Sequence, residues 1–311
     1  MNPAFSVIFL TTLIGAGQGL FLALFGAELA GAAQHPGVGR GFLAVGGLVV
    51  LALTGLGLVA SFFHLGRPER FWRTATMWRS SWLSREVIAL PLFMGGALAW
   101  TAQQGGLLPV GLAVGALTAL ACGALFVCTA MIYASLRFLQ EWASPFTLIN
   151  YALLGLASGS TLATALAAFS APVLLPAFAT LAMGATVAGG ISRALSLRRN
   201  ARLKPRSTLQ SAIGIRHPQI RQRSMGFMGG SFNTREFFHH QTPGALRRVK
   251  WGFLLAAFVG PLLLLWAGLV SASAGLLATA FVVQYLGLLA ERWFFFAQAN
   301  HPQNLYYQAV S

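Results

Sequence analysis

Apolar stretches of about 20 residues, the length a helix needs to cross the hydrocarbon core of a bilayer, recur eight times in this chain. They run from Phe5 to Leu29, Gly41 to Phe63, Val87 to Thr101, Leu107 to Tyr133, Phe146 to Phe169, Pro172 to Ile191, Trp251 to Val270 and Ala274 to Ala290. The expected fold is therefore all-α: an integral membrane bundle of eight transmembrane helices. Composition agrees. Hydrophobic residues make up 56% of the 311 positions and the mean hydropathy is +0.69, values a water-soluble domain reaches only by exposing large apolar patches. The first run has no basic segment before it and outlasts the apolar core of a signal peptide, so it is read as a retained helix.

Charge placement orients the bundle. The net charge is +15. Threading eight helices puts both termini and the connections 64–86, 137–145 and 193–250 on one face, which receives 20 of the 21 Lys and Arg residues, all but Arg40. Under the positive-inside rule that face is cytoplasmic, and topology alone accounts for most of the charge. The outer connections near 103–106, 170–171 and 271–273 are short and uncharged, so no outer domain is expected. Cys122 and Cys128 lie six apart in one helix, on different faces, which excludes a CxxC cluster and a mutual disulfide.

The segment 193–250, between the sixth and seventh helices, holds 13 basic residues against one acid, Glu236. It is too long for a plain connector and lacks the aromatic-poor signature of disorder, so a docking loop is favoured. In "SMGFMGGSFNTREFFHHQTPGALRRVK", Phe227, Phe232, Phe237 and Phe238, with Arg235 among them, need burial against something, taken to be a partner protein. The rival for 193–206 is an anionic headgroup patch, at about 1 kcal/mol per cation. Nucleic-acid binding would need a stacking platform and is set aside.

The stretch "SFFHLGRPERFWRTATMWRSSWLSRE", 61–86, carries the chief polar cluster at the bilayer: His64, Arg67, Glu69 and Arg70. Gly66 and Pro68 end the second helix. Phe71, Ala75, Trp78 and Trp82 recur at spacings of four, three and four, while Arg70, Arg73 and Arg79 lie off that face, which predicts a short interfacial helix. Ser84 is expected to cap the third helix, with Glu86 in its first turn. A groove walled by a histidine at the inner leaflet suits a quinone, ubiquinone or menaquinone. Its headgroup oxygens need partners, and a neutral imidazole can donate to a carbonyl or accept a quinol proton. Arg67 could polarise an oxygen and Glu69 pass protons. A histidine at a helix end also serves as a snorkelling or capping residue, and spacing alone leaves that reading open.

Other chemistries lack their residues. None of the six histidines falls in a span centre, so no bis-histidine haem is expected. There is no Asp, HExxH, GxSxG or phosphate loop, so no metal is expected and hydrolytic chemistry is excluded. A transporter would need polar lining or matched broken helices. Glu28, near an outer helix end, could be a proton-path or packing carboxylate but as an isolated acid at the interface is expected to be solvated, and Gln18 could hydrogen-bond across helices.

"HLGRPERFWR" followed by "SSWLSREV" resembles the membrane anchor subunits of the dimethyl sulfoxide reductase type. The long segment around "SMGFMGGSFNTREFFHH" is similar to the anchors of quinone-dependent sulfite dehydrogenases, a branch of that family. The resemblance implies a single membrane-anchor domain, 1–311, in a bacterial inner membrane. It would join a molybdopterin catalytic subunit through a four-cluster iron-sulfur subunit docked on the cytoplasmic face, at Arg73, Arg79, Arg85 and the long loop. It implies a quinone contact at His64, no redox metal in this chain, and electron exchange with the quinone pool, in sulfite oxidation or, reversed, in menaquinol oxidation.

Overall fold

The computed structural model describes all residues except 39–40, 64, 110, 222, 225–236 and 307–311. Among the described residues no strand forms, and eight helices are long and apolar enough to cross a membrane. They are α1 (Phe5–Leu29), α2 (Phe42–Phe62), α3 (Trp82–Gln104), α4 (Leu112–Ala134), α5 (Pro145–Ser170), α6 (Leu175–Asn200), α7 (Pro243–Val270) and α8 (Ala274–Ala297). The all-helical expectation holds. Several helices outrun their apolar cores: α3 starts five residues before Val87, α6 continues to Asn200, and α8 continues to Ala297. The segment assigned to the long loop is thus helical over 193–200 and again from Pro243, where Thr242 Oγ1 accepts from the Ala245 amide at 3.2 Å and Pro243 occupies the first turn.

α1 and α5 form the centre and are the most buried of the eight. They cross through small residues spaced four apart, Gly15 and Gly19 against Gly155 and Gly159. A methyl group at Gly19 would overlap the Gly155 carbonyl, and one at Gly159 would overlap the Leu20 amide. Lipid tails are as apolar as leucine, so helices in a bilayer associate by close packing rather than by the hydrophobic effect. Here that packing brings backbone onto backbone. The outward faces carry Leu48, Leu56, Leu92, Leu120, Leu263 and Trp266, all exposed, as a lipid-facing surface requires.

α7 is interrupted by a π turn at Leu255–Val259, which frees backbone carbonyls from the regular ladder. Gln284 of α8 donates to the Ala257 carbonyl at 3.3 Å and to Thr186 Oγ1 of α6 at 3.0 Å, tying three helices at that point.

One end of the bundle gathers Met1 and the segment that follows α8. The Met1 amine donates to the Ala299 carbonyl at 2.8 Å. Arg199 donates to the carbonyls of Gln140 and Ala143 at 3.1 and 3.3 Å, and Asn300 to Glu141 Oε1 at 3.3 Å. This is the basic end. At the opposite end Glu28 departs from expectation. It is buried, 8% exposed, because Trp100 Nε1 donates to it at 2.6 Å, Gln104 at 2.5 Å and Gln103 at 3.3 Å. Three donors from α3 replace the water it was expected to keep.

Candidate functional site

His64 lies outside the described residues; its neighbours are placed. After α2 the chain turns, with the Leu65 amide on the Phe62 carbonyl at 3.3 Å, and Pro68–Met77 wind as a 3-10 helix rather than a regular α-helix. Arg67, Glu69 and Arg70 are all exposed. Arg70 approaches Glu69 at 3.8 Å, a surface pair that contributes about 0–1 kcal/mol. An edge contact between Phe62 and Phe71, 6.1 Å between centroids, ties the segment back to α2. The result is a polar turn set in an exposed aromatic surface of Phe62, Phe63, Phe71, Trp72 and Trp78.

Of the residues expected to meet a partner, Arg73 and Arg79 are exposed, their guanidiniums 5.3 and 5.4 Å from the rings of Trp72 and Trp78. Arg85 is occupied differently. It donates to the carbonyls of Trp78 and Arg79, each at 2.9 Å, and lies 4.2 Å from the Trp82 ring centroid, so it pins the turn between the 3-10 helix and α3. The helix cap also shifts: Ser81 Oγ, not Ser84, accepts the first-turn amide, that of Ser84, at 3.4 Å. Phe238 is fully buried within this chain, 2% exposed, and Phe237 stacks on His301 at 3.8 Å. Phe238 is thus covered by its own chain, while Phe237 is half-buried. Phe227, Phe232 and Arg235 lie outside the described residues.

The structure adds a second group that the apolar runs do not reach. Beneath the basic end, inside the bundle, Arg193 of α6 meets Glu291 of α8 at 2.7 Å, and Arg292 lies 3.6 Å from the same carboxylate. All three are nearly inaccessible, at 1%, 1% and 5% exposed. The Arg292 guanidinium sits 3.8 Å from the Tyr151 ring centroid of α5. Both residues line a cavity of about 20 Å³, together with Glu86, Thr129, Gln18 and Ser158. Glu86 accepts a 2.5 Å bond from Thr129 Oγ1, so α3's first carboxylate faces the bundle interior.

Replacing a buried ion pair by packed apolar residues is often neutral or stabilising, so stability alone does not account for keeping such charges. Ionisable groups at membrane depth mark functional sites by default. A sequence signal exists: "LLAERWFFF" places Glu and Arg in unbroken apolar context. Hydropathy passes over it because the last apolar run closes at Ala290 and the sixth at Ile191, one and two residues short of these charges. Gln18 does bond across helices as expected, to the Cys122 carbonyl at 2.9 Å. Among the described residues no group of three or more His, Cys or Glu side chains gathers as a metal site.

Two comparisons bear on these features. The chain is 52% identical to a sulfite dehydrogenase subunit of Allochromatium vinosum, over 100% of both chains. Residues 1–214 match the family described as DMSO reductase anchor subunit (DmsC). The match spans α1 to α6 with the polar turn between α2 and α3, and bears out the resemblance carried mainly by residues 1–90. This multi-pass membrane protein belongs to the DMSO reductase anchor subunit (DmsC) family.

Proposed function

We propose that the chain is the membrane anchor of a molybdopterin and iron-sulfur oxidoreductase that oxidises sulfite, and that it passes the electrons from the iron-sulfur subunit to the quinone pool. The observation that carries this reading is the full-length identity to a subunit of a sulfite dehydrogenase. The geometry of the turn after α2 supports the quinone part. Arg67, Glu69 and Arg70 offer hydrogen-bonding and charged groups beside the position of His64, and Phe62, Phe63 and Phe71 offer an apolar surface continuous with lipid. That pairing fits a molecule with a polar head and an isoprenoid tail.

When bound, a quinone supplies a two-electron, two-proton acceptor. The chain's own tasks are to hold its head at the bilayer edge, to bring protons to it and to keep its tail in lipid. The positive-inside rule puts the basic end in the cytoplasm. There the iron-sulfur subunit docks on Arg73, Arg79 and the long loop with Phe227, Phe232 and Arg235. It also meets a groove of about 650 Å³ lined by Arg137, Glu141, Arg206 and His301. A second reading, oxidation of menaquinol to serve a reductase, is favoured by the family match of residues 1–214.

The test uses membranes holding the whole complex. His64→Ala and Arg67→Ala are expected to abolish quinone reduction by sulfite while sulfite oxidation with an artificial dye continues. Quinone coupling at the parental rate in both variants would remove the site. No sulfite-dependent activity in the intact complex, with either acceptor, would remove the substrate.

A further inference from the structure

Three observations meet in the interior at the basic end. The first is the cavity between Glu86 and Arg292. Its volume, about 20 Å³, exceeds the roughly 10–15 Å³ that one water needs, and although its walls are mostly apolar, a cavity of that size holds water where two to four polar partners are available. Glu86, Thr129, Arg292 and Tyr151 supply them. The second is a set of buried atoms without hydrogen-bond partners: Arg292 Nε, Glu291 Oε2 and Arg193 Nη2. Buried polar groups are almost always satisfied, and ordered water is the usual remedy. The third is continuity. Arg292 adjoins Glu291, Glu291 adjoins Arg193, and Arg193 Nη1 reaches Ser196 Oγ at 3.5 Å, one turn below Arg199 and Asn200 at the basic end.

From these we infer that Glu86 and Glu291, bridged by water held on Arg292 and Arg193, form a proton route between the edge of the bundle at α3 and the aqueous basic end along α6. The carriers are the two carboxylates and the water. Arginine keeps its proton in proteins, so the guanidiniums fix the water and do not themselves relay protons. The direct line from Arg292 to the end surface is closed by the packed rings of Tyr133, Trp142, Phe295 and Phe296, at centroid separations of 5.3–5.8 Å. The polar groups therefore lead sideways to α6. α1 contributes only neutral groups to this region, Thr11, Thr12 and Gln18. The route rests on the quinone-reducing reading above. Each quinone that accepts two electrons from the iron-sulfur subunit takes up two protons, and this path delivers them from the side on which that subunit docks.

Two measurements on the whole complex test it. A high-resolution density map is expected to show water between Glu86 and Arg292, and a dry cavity would overturn the route. In kinetics, Glu291→Gln is expected to slow quinone reduction by at least tenfold and to raise its solvent deuterium isotope effect, with dye-linked sulfite oxidation unchanged. The double variant Arg193→Met with Glu291→Leu removes both charges of the 2.7 Å pair. Because Arg292 loses its carboxylate too, unchanged dye-linked sulfite oxidation is the check that the complex still folds, and quinone reduction is expected to slow equally. Parental rates and isotope effects in both variants would refute the route while leaving quinone coupling intact. Absent quinone reduction in the parent would instead refute the reading it rests on.

Discussion

Arg85 offers the sharpest test of how the polar turn is held. Its two bonds to the Trp78 and Arg79 carbonyls, both 2.9 Å, lie at the surface, where each contributes about 0.5–1 kcal/mol. Its guanidinium over the Trp82 ring at 4.2 Å adds about 0.5–1 kcal/mol. Arg85→Ala should therefore loosen residues 67–80 by about 1.5–3 kcal/mol, which at 1.4 kcal/mol per decade shifts the local closing equilibrium roughly 10- to 150-fold. The reporters are the Ser80 and Ser81 amides, which donate to the Met77 carbonyl at 3.1 and 2.9 Å. Their hydrogen exchange in the detergent-solubilised protein should accelerate by that factor, with exchange in α1 and α5 unchanged. Arg85→Lys keeps the cation but not the fork that spans two carbonyls, so it should fall between. Unchanged exchange at Ser80 and Ser81 in Arg85→Ala would show that the Phe62 and Phe71 contact, not Arg85, fixes the turn.

Two other predictions concern packing and pH. Gly19→Ala places a methyl group against the Gly155 backbone and should destabilise the bundle by about 1–3 kcal/mol, read as a lower thermal midpoint. In the same helix Gly26 has nothing within 4 Å of an added Cβ, so Gly26→Ala should be neutral or slightly stabilising. His301, stacked on Phe237 and edge-on to Phe138, has its pKa lowered by burial first and by the nearby amino terminus second. The folded state thus holds the proton less well than the unfolded one. The stability His301 contributes is present above its unfolded value of about 6.5 and declines as pH falls through it toward the lower folded value. Proteolysis within residues 298–306 should accelerate between pH 7.5 and 5.5 in the parent, and less so in His301→Gln. An equal acceleration in both would assign the effect to another group.

The bilayer imposed most of what could be read from the sequence. Because it demands about 20 apolar residues per crossing, the eight spans were legible in order. The turn at Gly66 and Pro68 was legible because those residues end helices. What hydropathy could not report is which face of a helix meets lipid and which meets a neighbour, since core and lipid are equally apolar. Only the tertiary structure decided that Glu28 is buried under Trp100, that Phe238 is covered by its own chain, and that Arg85 holds a turn. It also decided that Arg193, Glu291 and Arg292, which lie beyond the apolar runs, turn inward and pair. A charge at a helix end can face water, headgroups or another helix at similar sequence cost, and the rotation and extension of its neighbours make the choice.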